Sequence, residues 1–209
     1  MRILLATNNG HKAREIQQID PGVYVLTPKE LGIRFTHEET GDTFAANAWG
    51  KAHALRQLML QLSDAADAAI DAVLADDSGI CVDALDGRPG LYSARYGINH
   101  PSYPAGNDAE RNALLLSEME GIANRSARYV CSVAAIIDTN RFICAEDTLE
   151  GEIALQPSQG SGGFGYDPIF FLPELGCTAA DISAEEKHRI SHRGKAVRQV
   201  LHALSIAVA

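Results

Sequence analysis

Apolar and polar positions alternate along this chain in blocks of helical and strand period. Arg2 to Ala6 is a short apolar run, which predicts a strand. The polar turn Thr7-Asn8-Asn9-Gly10 follows, leading into a helix from about His11 to Ile19. Thr27-Pro28-Lys29-Glu30 has the form of a capping box with proline at the first helical position, and predicts a short helix. From Thr43 to Leu62, Phe44, Ala48, Ala52, Leu55, Met59 and Leu62 recur at steps of three and four, the spacing of a long amphipathic helix. Residues 63–69 form a small acidic connection, and Ile70 to Ala75 predicts a buried strand ending at Asp76-Asp77-Ser78-Gly79. Gly87 to Gly90 reads as a turn, and residues 97–107 as a loop rich in Gly, Pro and Asn. Asp108 caps a predicted helix to about Glu118. Arg128–Ile137 and Phe142–Glu150 predict a hairpin across Asp138-Thr139-Asn140-Arg141. A Gly-rich loop at 160–165 precedes the strand-like Ile169-Phe170-Phe171. Ser183 to Lys187 is a capped turn, and a last amphipathic helix carries Val197, Val200, Leu201 and Leu204. Helices alternating with strands, at least one hairpin among them, give an α/β chain with a mixed sheet.

Composition narrows this picture. The 209 residues suit one large domain or two closely joined lobes, and 46% hydrophobic with 22% charged residues is ordinary for a globular chain. No apolar run approaches the roughly 20 residues of a membrane span, and the N-terminal apolar stretch is too short for a signal peptide. Cys81, Cys131, Cys144 and Cys177 include no CxxC pair and read as small hydrophobes in a reducing compartment. A net charge of −9 argues against a general nucleic-acid surface. If such a chain binds a polyanion, it must gather positive charge locally and recruit a cation.

Four segments could carry that chemistry. Thr7-Asn8-Asn9-Gly10-His11-Lys12 would present free N–H groups, a helix N-terminus and an ammonium at one place, a setting for phosphate; it is not a Walker loop. Glu38-Glu39-Thr40-Gly41 and Asp76-Asp77-Ser78-Gly79 offer adjacent carboxylates whose repulsion a hard divalent cation relieves. Gly160 to Pro168 matches GxGxxG literally, but aromatics and Pro168 stand where a helix would begin. Backbone closing over a flat ring suits it better than a dinucleotide fingerprint. Finally, Lys187 to Lys195 holds six basic or His side chains in nine residues, the densest positive stretch of an acidic chain. His188 and His192 lie four apart, yet HExxH is absent, so zinc is disfavoured. Taken singly, each segment is also explained by an ordinary cap, turn or solvated helix start.

Together, LLATNNGHKAREI, EETGDTFAANAWGKA, ADDSGICVDALDGRPGLYSARYG, GSGGFGYDPIF and EEKHRISHRGKA resemble the inosine/xanthosine triphosphate pyrophosphatase family, also called Ham1-like. The blocks run in the family's order from Leu4 to Ala196. The resemblance implies residues 1–209 as a single nucleoside-triphosphate pyrophosphatase domain. Its fold would be an elongated mixed sheet flanked by helices, of two lobes with a central cleft. It implies hydrolysis of non-canonical purine nucleoside triphosphates (dITP, ITP, XTP) to the monophosphate and pyrophosphate with Mg2+, in a cytoplasmic homodimer. Thr7, Asn8, Asn9, Gly10, His11 and Lys12 would contact the triphosphate. Asp77 would activate water and help hold magnesium, with Glu38, or next Glu39, as the other ligand. Ser78 would touch substrate, Phe164, Gly165, Tyr166 and Asp167 would form the base-side loop, and Lys187, His192 and Arg193 would bind phosphate or the purine oxygen. The chain departs from the family at Ala46, where Glu is usual, and in an alanine-rich insertion around 64–72.

On this reading water attacks the α-phosphoryl group in line, Asp77 takes its proton, and Lys12, Lys187 and Arg193 meet the developing charge. A donor at the purine 6-oxo group would leave adenine unpaired, the basis of selectivity. Alternatives are a pyrophosphatase of modified pyrimidine nucleoside triphosphates, a nucleotide-sensing regulator, and a magnesium-dependent phosphatase.

Overall fold

A computed structural model describes residues 1–62, 70–98, 100, 107–160 and 162–208, with the His11 side chain outside the description. The expected connection at 63–69 and most of the 97–107 loop therefore lie outside the described residues.

Strands β1 (Arg2–Leu5), β2 (Tyr24–Leu26), β3 (Ala72–Val82), β4 (Ser126–Ile136), β5 (Phe142–Ile153), β6 (Phe170–Leu172) and β7 (Cys177–Thr178) form one sheet in the order β2-β1-β3-β4-β5-β6-β7. β1 pairs parallel with β2 and β3, whereas β6 pairs antiparallel with β5 and β7, so the sheet is mixed as expected. The helices are α1 (Gly10–Ile19), α2 (Phe44–Gln61), α3 (Asp108–Glu118), α4 (Ala184–Ile190) and α5 (His192–Ala207). None of the described helices is long and apolar enough to cross a membrane.

The chain divides into two compact units. The first comprises 1–77, 131–147 and 192–209, the second 78–130 and 148–191. In the first unit, strand parity sorts the core into two layers. Ile3, Leu5, Ala72, Leu74, Cys131, Val133 and Ala135 pack with Ile16 of α1 and Val197, Val200, Leu201 and Leu204 of α5. Leu4, Val73, Ala75, Ala134 and Ile136 point the other way and pack with Ala48, Ala52, Leu55 and Met59 of α2. Helix α2 begins at Thr43, whose side chain accepts from the Ala46 N–H. The second unit has one core, in which Ile80, Val82, Leu115, Met119, Tyr129, Ile153, Tyr166 and Phe170 meet.

Several elements differ from expectation. β3 does not end at Ala75; it runs through Asp76-Asp77-Ser78-Gly79 to Val82. The Thr27 box forms, with the Thr27 N–H donating to Glu30 Oε2 at 2.7 Å, but it closes only a turn. Gly32, at φ 69°, stops it, and the Ile33 N–H returns to Pro28 O. Asn107 rather than Asp108 caps α3, accepting from the Glu110 N–H at 2.9 Å. That frees Asp108, the first helical residue, for other bonds. The short strands β2 and β7, and 3₁₀ turns at Asp83–Leu85 and Gly90–Arg95, leave no clear period in the sequence.

Candidate active site

The continuation of β3 decides how the two acids are used. Successive side chains of a strand face opposite sides. Asp76 is in phase with Ala72 and Leu74 and faces α1 and α5, while Asp77 is in phase with Val73 and Ala75 and faces α2. Two different sets of partners follow.

Asp76 is 3% exposed. Lys12 Nζ of α1 lies 2.9 Å from its Oδ2, and Arg193 Nε of α5 donates to the same oxygen at 3.1 Å. Arg193 also donates to Glu15, so a buried guanidinium bridges two acids. Burial alone would push the Asp76 carboxyl up; the Lys12 and Arg193 charges outweigh it and hold the group well below the usual carboxylate range. Arg193 is pushed further up, since Asp76 and Glu15 overcome the opposing effect of burial. Asp76 is thus an ionised strut at neutral pH that anchors Lys12 and the start of α5.

Asp77 has a different environment. Asn47 Nδ2 of α2 donates to its Oδ2 at 3.0 Å and Lys51 Nζ lies 3.3 Å from its Oδ1. The same ammonium donates to Glu39 Oε1 at 2.8 Å. Burial raises the Asp77 carboxyl above its ordinary value, Lys51 opposes this, and the Glu39 charge adds to the rise. Lys51 itself is raised: burial pulls it down, but Asp76, Asp77 and Glu39 prevail. A carboxylate with a raised proton affinity, one cation and a second acid beside it can accept a proton or share a divalent cation.

Thr7 closes the turn after β1, its Oγ1 accepting from the Asn9 N–H at 3.0 Å. Asn8 is exposed and donates to Phe35 O at 3.0 Å, while Asn9 and Gly10 are exposed at the α1 start. Glu38 is exposed, whereas Glu39 reaches Lys51. His192 and Arg193 are both buried at the head of α5.

The second unit holds the others. Ser78 is half-buried on β3. Asp167 Oδ2 accepts from the Phe164 N–H at 2.7 Å and from Lys187 Nζ at 2.5 Å, and Tyr129 donates to Oδ1 at 3.3 Å. Lys187 Nζ stands 4.7 Å from the Phe164 ring centroid, a cation–π contact. Gly163 must lack a side chain here: its φ is 72° and a Cβ would lie 2.0 Å from Asp167 Oδ2. Tyr166 is placed in the core, not on a free face. It donates to Ser93 O at 2.8 Å, and burial pushes its phenol up. So Phe164, Gly165, Asp167 and Lys187 come together, and Tyr166 supports them from beneath.

Asn47 and Lys51 escape the sequence reading, although a signal exists. They sit four apart on the buried stripe of α2, beside Ala48 and Ala52, where polar side chains need a buried partner.

The described residues contain no group of three His, Cys, Asp or Glu that could hold a metal. Asp77 and Glu39 fit a cation that takes one or two carboxylates and fills its other positions from phosphate and water, as magnesium does.

The Ham1 family model matches residues 3–203. A Treponema denticola protein named dITP/XTP pyrophosphatase is 46% identical over 94% of this chain and 95% of its own length. One of the same name from Clostridium perfringens is 40% identical over 95% of each. The solved structure of the Staphylococcus aureus Ham1 protein superposes with a TM-score of 0.80 at 36% identity, covering 99% of this chain and 100% of that one.

Proposed function

The chain belongs to the Ham1 family, and from that premise we propose that it hydrolyses non-canonical purine nucleoside triphosphates (dITP, ITP, XTP) to the monophosphate and pyrophosphate. The relatives' name supports the substrate class. The observation that carries the chemistry is Asp77, a buried carboxyl of raised proton affinity, held by Asn47 and Lys51 with Glu39 alongside.

In the proposed reaction, water attacks the α-phosphorus as the bond to the bridging oxygen of the β-phosphate breaks. Asp77 takes the proton of the attacking water. A positioned general base contributes roughly 10²- to 10⁴-fold. Lys12 and the Thr7–Gly10 turn meet the phosphates, and Lys51 steadies the charge between Asp77 and Glu39. Asp77 and Glu39 would hold magnesium. When bound, that ion neutralises phosphate charge and orients the reacting groups. Phe164 offers a ring face to the base, while Lys187 or a loop N–H reads the 6-oxo group; Arg193 acts through Lys12 and Asp76 rather than on the base. We further propose that it acts in the cytoplasm as a homodimer, a state that light scattering reads.

Product identity tests the reading. Wild-type protein with magnesium should release pyrophosphate from dITP, ITP and XTP far faster than from ATP, dUTP or dTTP. Asp77→Asn should lower kcat by about 10²-fold or more with its circular dichroism unchanged. Orthophosphate as the product, preferred pyrimidine substrates, or a fully active Asp77→Asn would each defeat it.

A further inference from the structure

Helix α3 holds the Gly-rich turn of the second unit at a single residue, through the peptide groups on either side of it. The Gly165 N–H donates to Asp108 Oδ2 at 2.7 Å, and the Gly165 carbonyl accepts from Asn112 Nδ2 at 3.1 Å. Asp108 and Asn112 lie four apart, on one face of α3. They therefore grip both polar groups of the residue between Phe164 and Tyr166. Gly165 has a φ of 64°, a conformation that gains nothing from a side chain. The bonds of Asp167 to the Phe164 backbone close the turn, but the polar groups of Gly165 itself are met by α3.

Two further observations separate this grip from ordinary packing. Asn112 is 5% exposed, and its Oδ1 is buried with no hydrogen-bond partner among the described residues. An apolar residue of equal size would avoid that desolvation, so the side chain is explained by its one donor bond to the loop. Asp108 is released from the cap by Asn107, and Arg111 pairs with its Oδ1, leaving Oδ2 aimed at the Gly165 N–H.

We propose that Asp108 and Asn112 are positioning residues that set purine selectivity by fixing the two peptides that flank Gly165, and with them the Phe164 ring and the Asp167–Lys187 pair. The inference rests on the proposed function, in which this turn faces the base. A rigid turn presents donors at one place and leaves a 6-amino purine unpaired. A loose turn repacks around either purine. Discrimination then falls because the poorer substrate gains, while water attack at Asp77 is unaltered.

The test compares wild type with Asn112→Leu, Asp108→Ala and Asp108→Asn. Measured are kcat/KM for ITP and for ATP, and hydrogen exchange of peptides covering residues 162–167. We expect the ITP-to-ATP ratio to fall about tenfold in Asn112→Leu and Asp108→Ala, the worth of one hydrogen bond. The fall should lie mainly in the ATP constants, with faster exchange in the turn. Asp108→Asn loses the Arg111 ion pair but keeps an acceptor for the Gly165 N–H, and should retain the wild-type ratio. An unchanged ratio with unchanged exchange in Asp108→Ala, a half-buried site whose variant keeps its fold, overturns the proposal. So does loss of selectivity in Asp108→Asn equal to that in Asp108→Ala. If wild type releases no pyrophosphate from ITP, the functional reading fails instead, and exchange alone decides whether the clamp exists.

Discussion

Removing the charge of Asp76 would leave Lys12 without its carboxylate and would leave Arg193 paired with Glu15. Breaking a buried ion pair from one side costs about 3–5 kcal/mol. Asp76→Asn should therefore unfold at markedly lower urea at pH 7. Because the folded carboxyl lies below its ordinary value, its contribution is complete above about pH 4 and is lost as pH falls through the folded value. The gap between wild type and variant should close in acid. A gap that is constant down to pH 2 would refute the ion-pair account. Cys131 shows the opposite sign. Burial, then the Asp76 charge, pushes its thiol up to about 12. The unfolded chain ionises first, so this residue's contribution falls as pH rises from the ordinary thiol value toward 12. At pH 8 a maleimide should label the exposed Cys144 in the native protein, and Cys131 only after denaturation.

At the scale of elements, long periods were legible and short-range chemistry was not. The α2 stripe, the hairpin of β4 and β5, and α5 follow directly from apolar spacing. β3 was cut short because Asp, Ser and Gly are turn formers in isolation. What keeps them extended is tertiary: Lys12, Arg193, Lys51 and Asn47 compensate the two acids from both faces. The same override explains why the DDSG pair, Lys12 and Arg193 are legible as candidates while Asn47 and Lys51, which hold Asp77 from α2, are not. Asn47 also ties the EETG segment in place, accepting from the Gly41 N–H at 2.8 Å as it donates to Asp77. A Cβ on Gly41 would stand 2.8 Å from Asn47 Oδ1 and 2.9 Å from Ala46 Cβ. Gly41→Ala should therefore push the loop, and Glu39 with it, away from Lys51. A displacement near 1 Å costs on the order of 10²-fold in rate. kcat/KM for dITP should fall accordingly while the thermal midpoint barely moves. Ala46→Gly in the same chain should recover part of the loss. An active Gly41→Ala would mean that the EETG loop does not serve the reaction.

For the molecule as a whole, the question is how a chain of net charge −9 takes a polyanionic substrate without binding polyanions in general. The basic stretch at 187–195 suggests a positive patch, but its cations are committed in the fold. Lys187 pairs with Asp167, Arg189 with Glu186, Arg193 with Asp76 and Glu15, and Lys195 with Asp147. Neutralised this way, they leave no row of cations to displace counterions from a nucleic-acid backbone, the process that drives such binding. A compact triphosphate instead needs only a few donors at one place, with a divalent cation to offset the acids. DNA and RNA duplexes at 10-fold excess should give no mobility shift at about 150 mM salt and should not inhibit dITP hydrolysis. Raising salt should weaken dITP binding only modestly, because few ions are released. Charge reversal at Asp147, on β5, should free Lys195 of its ion pair yet leave kcat/KM within about twofold, since surface pairs contribute little. A steep salt dependence, or strong inhibition by duplex DNA, would show that the positive stretch acts as an open surface and that the ion pairs do not restrain it.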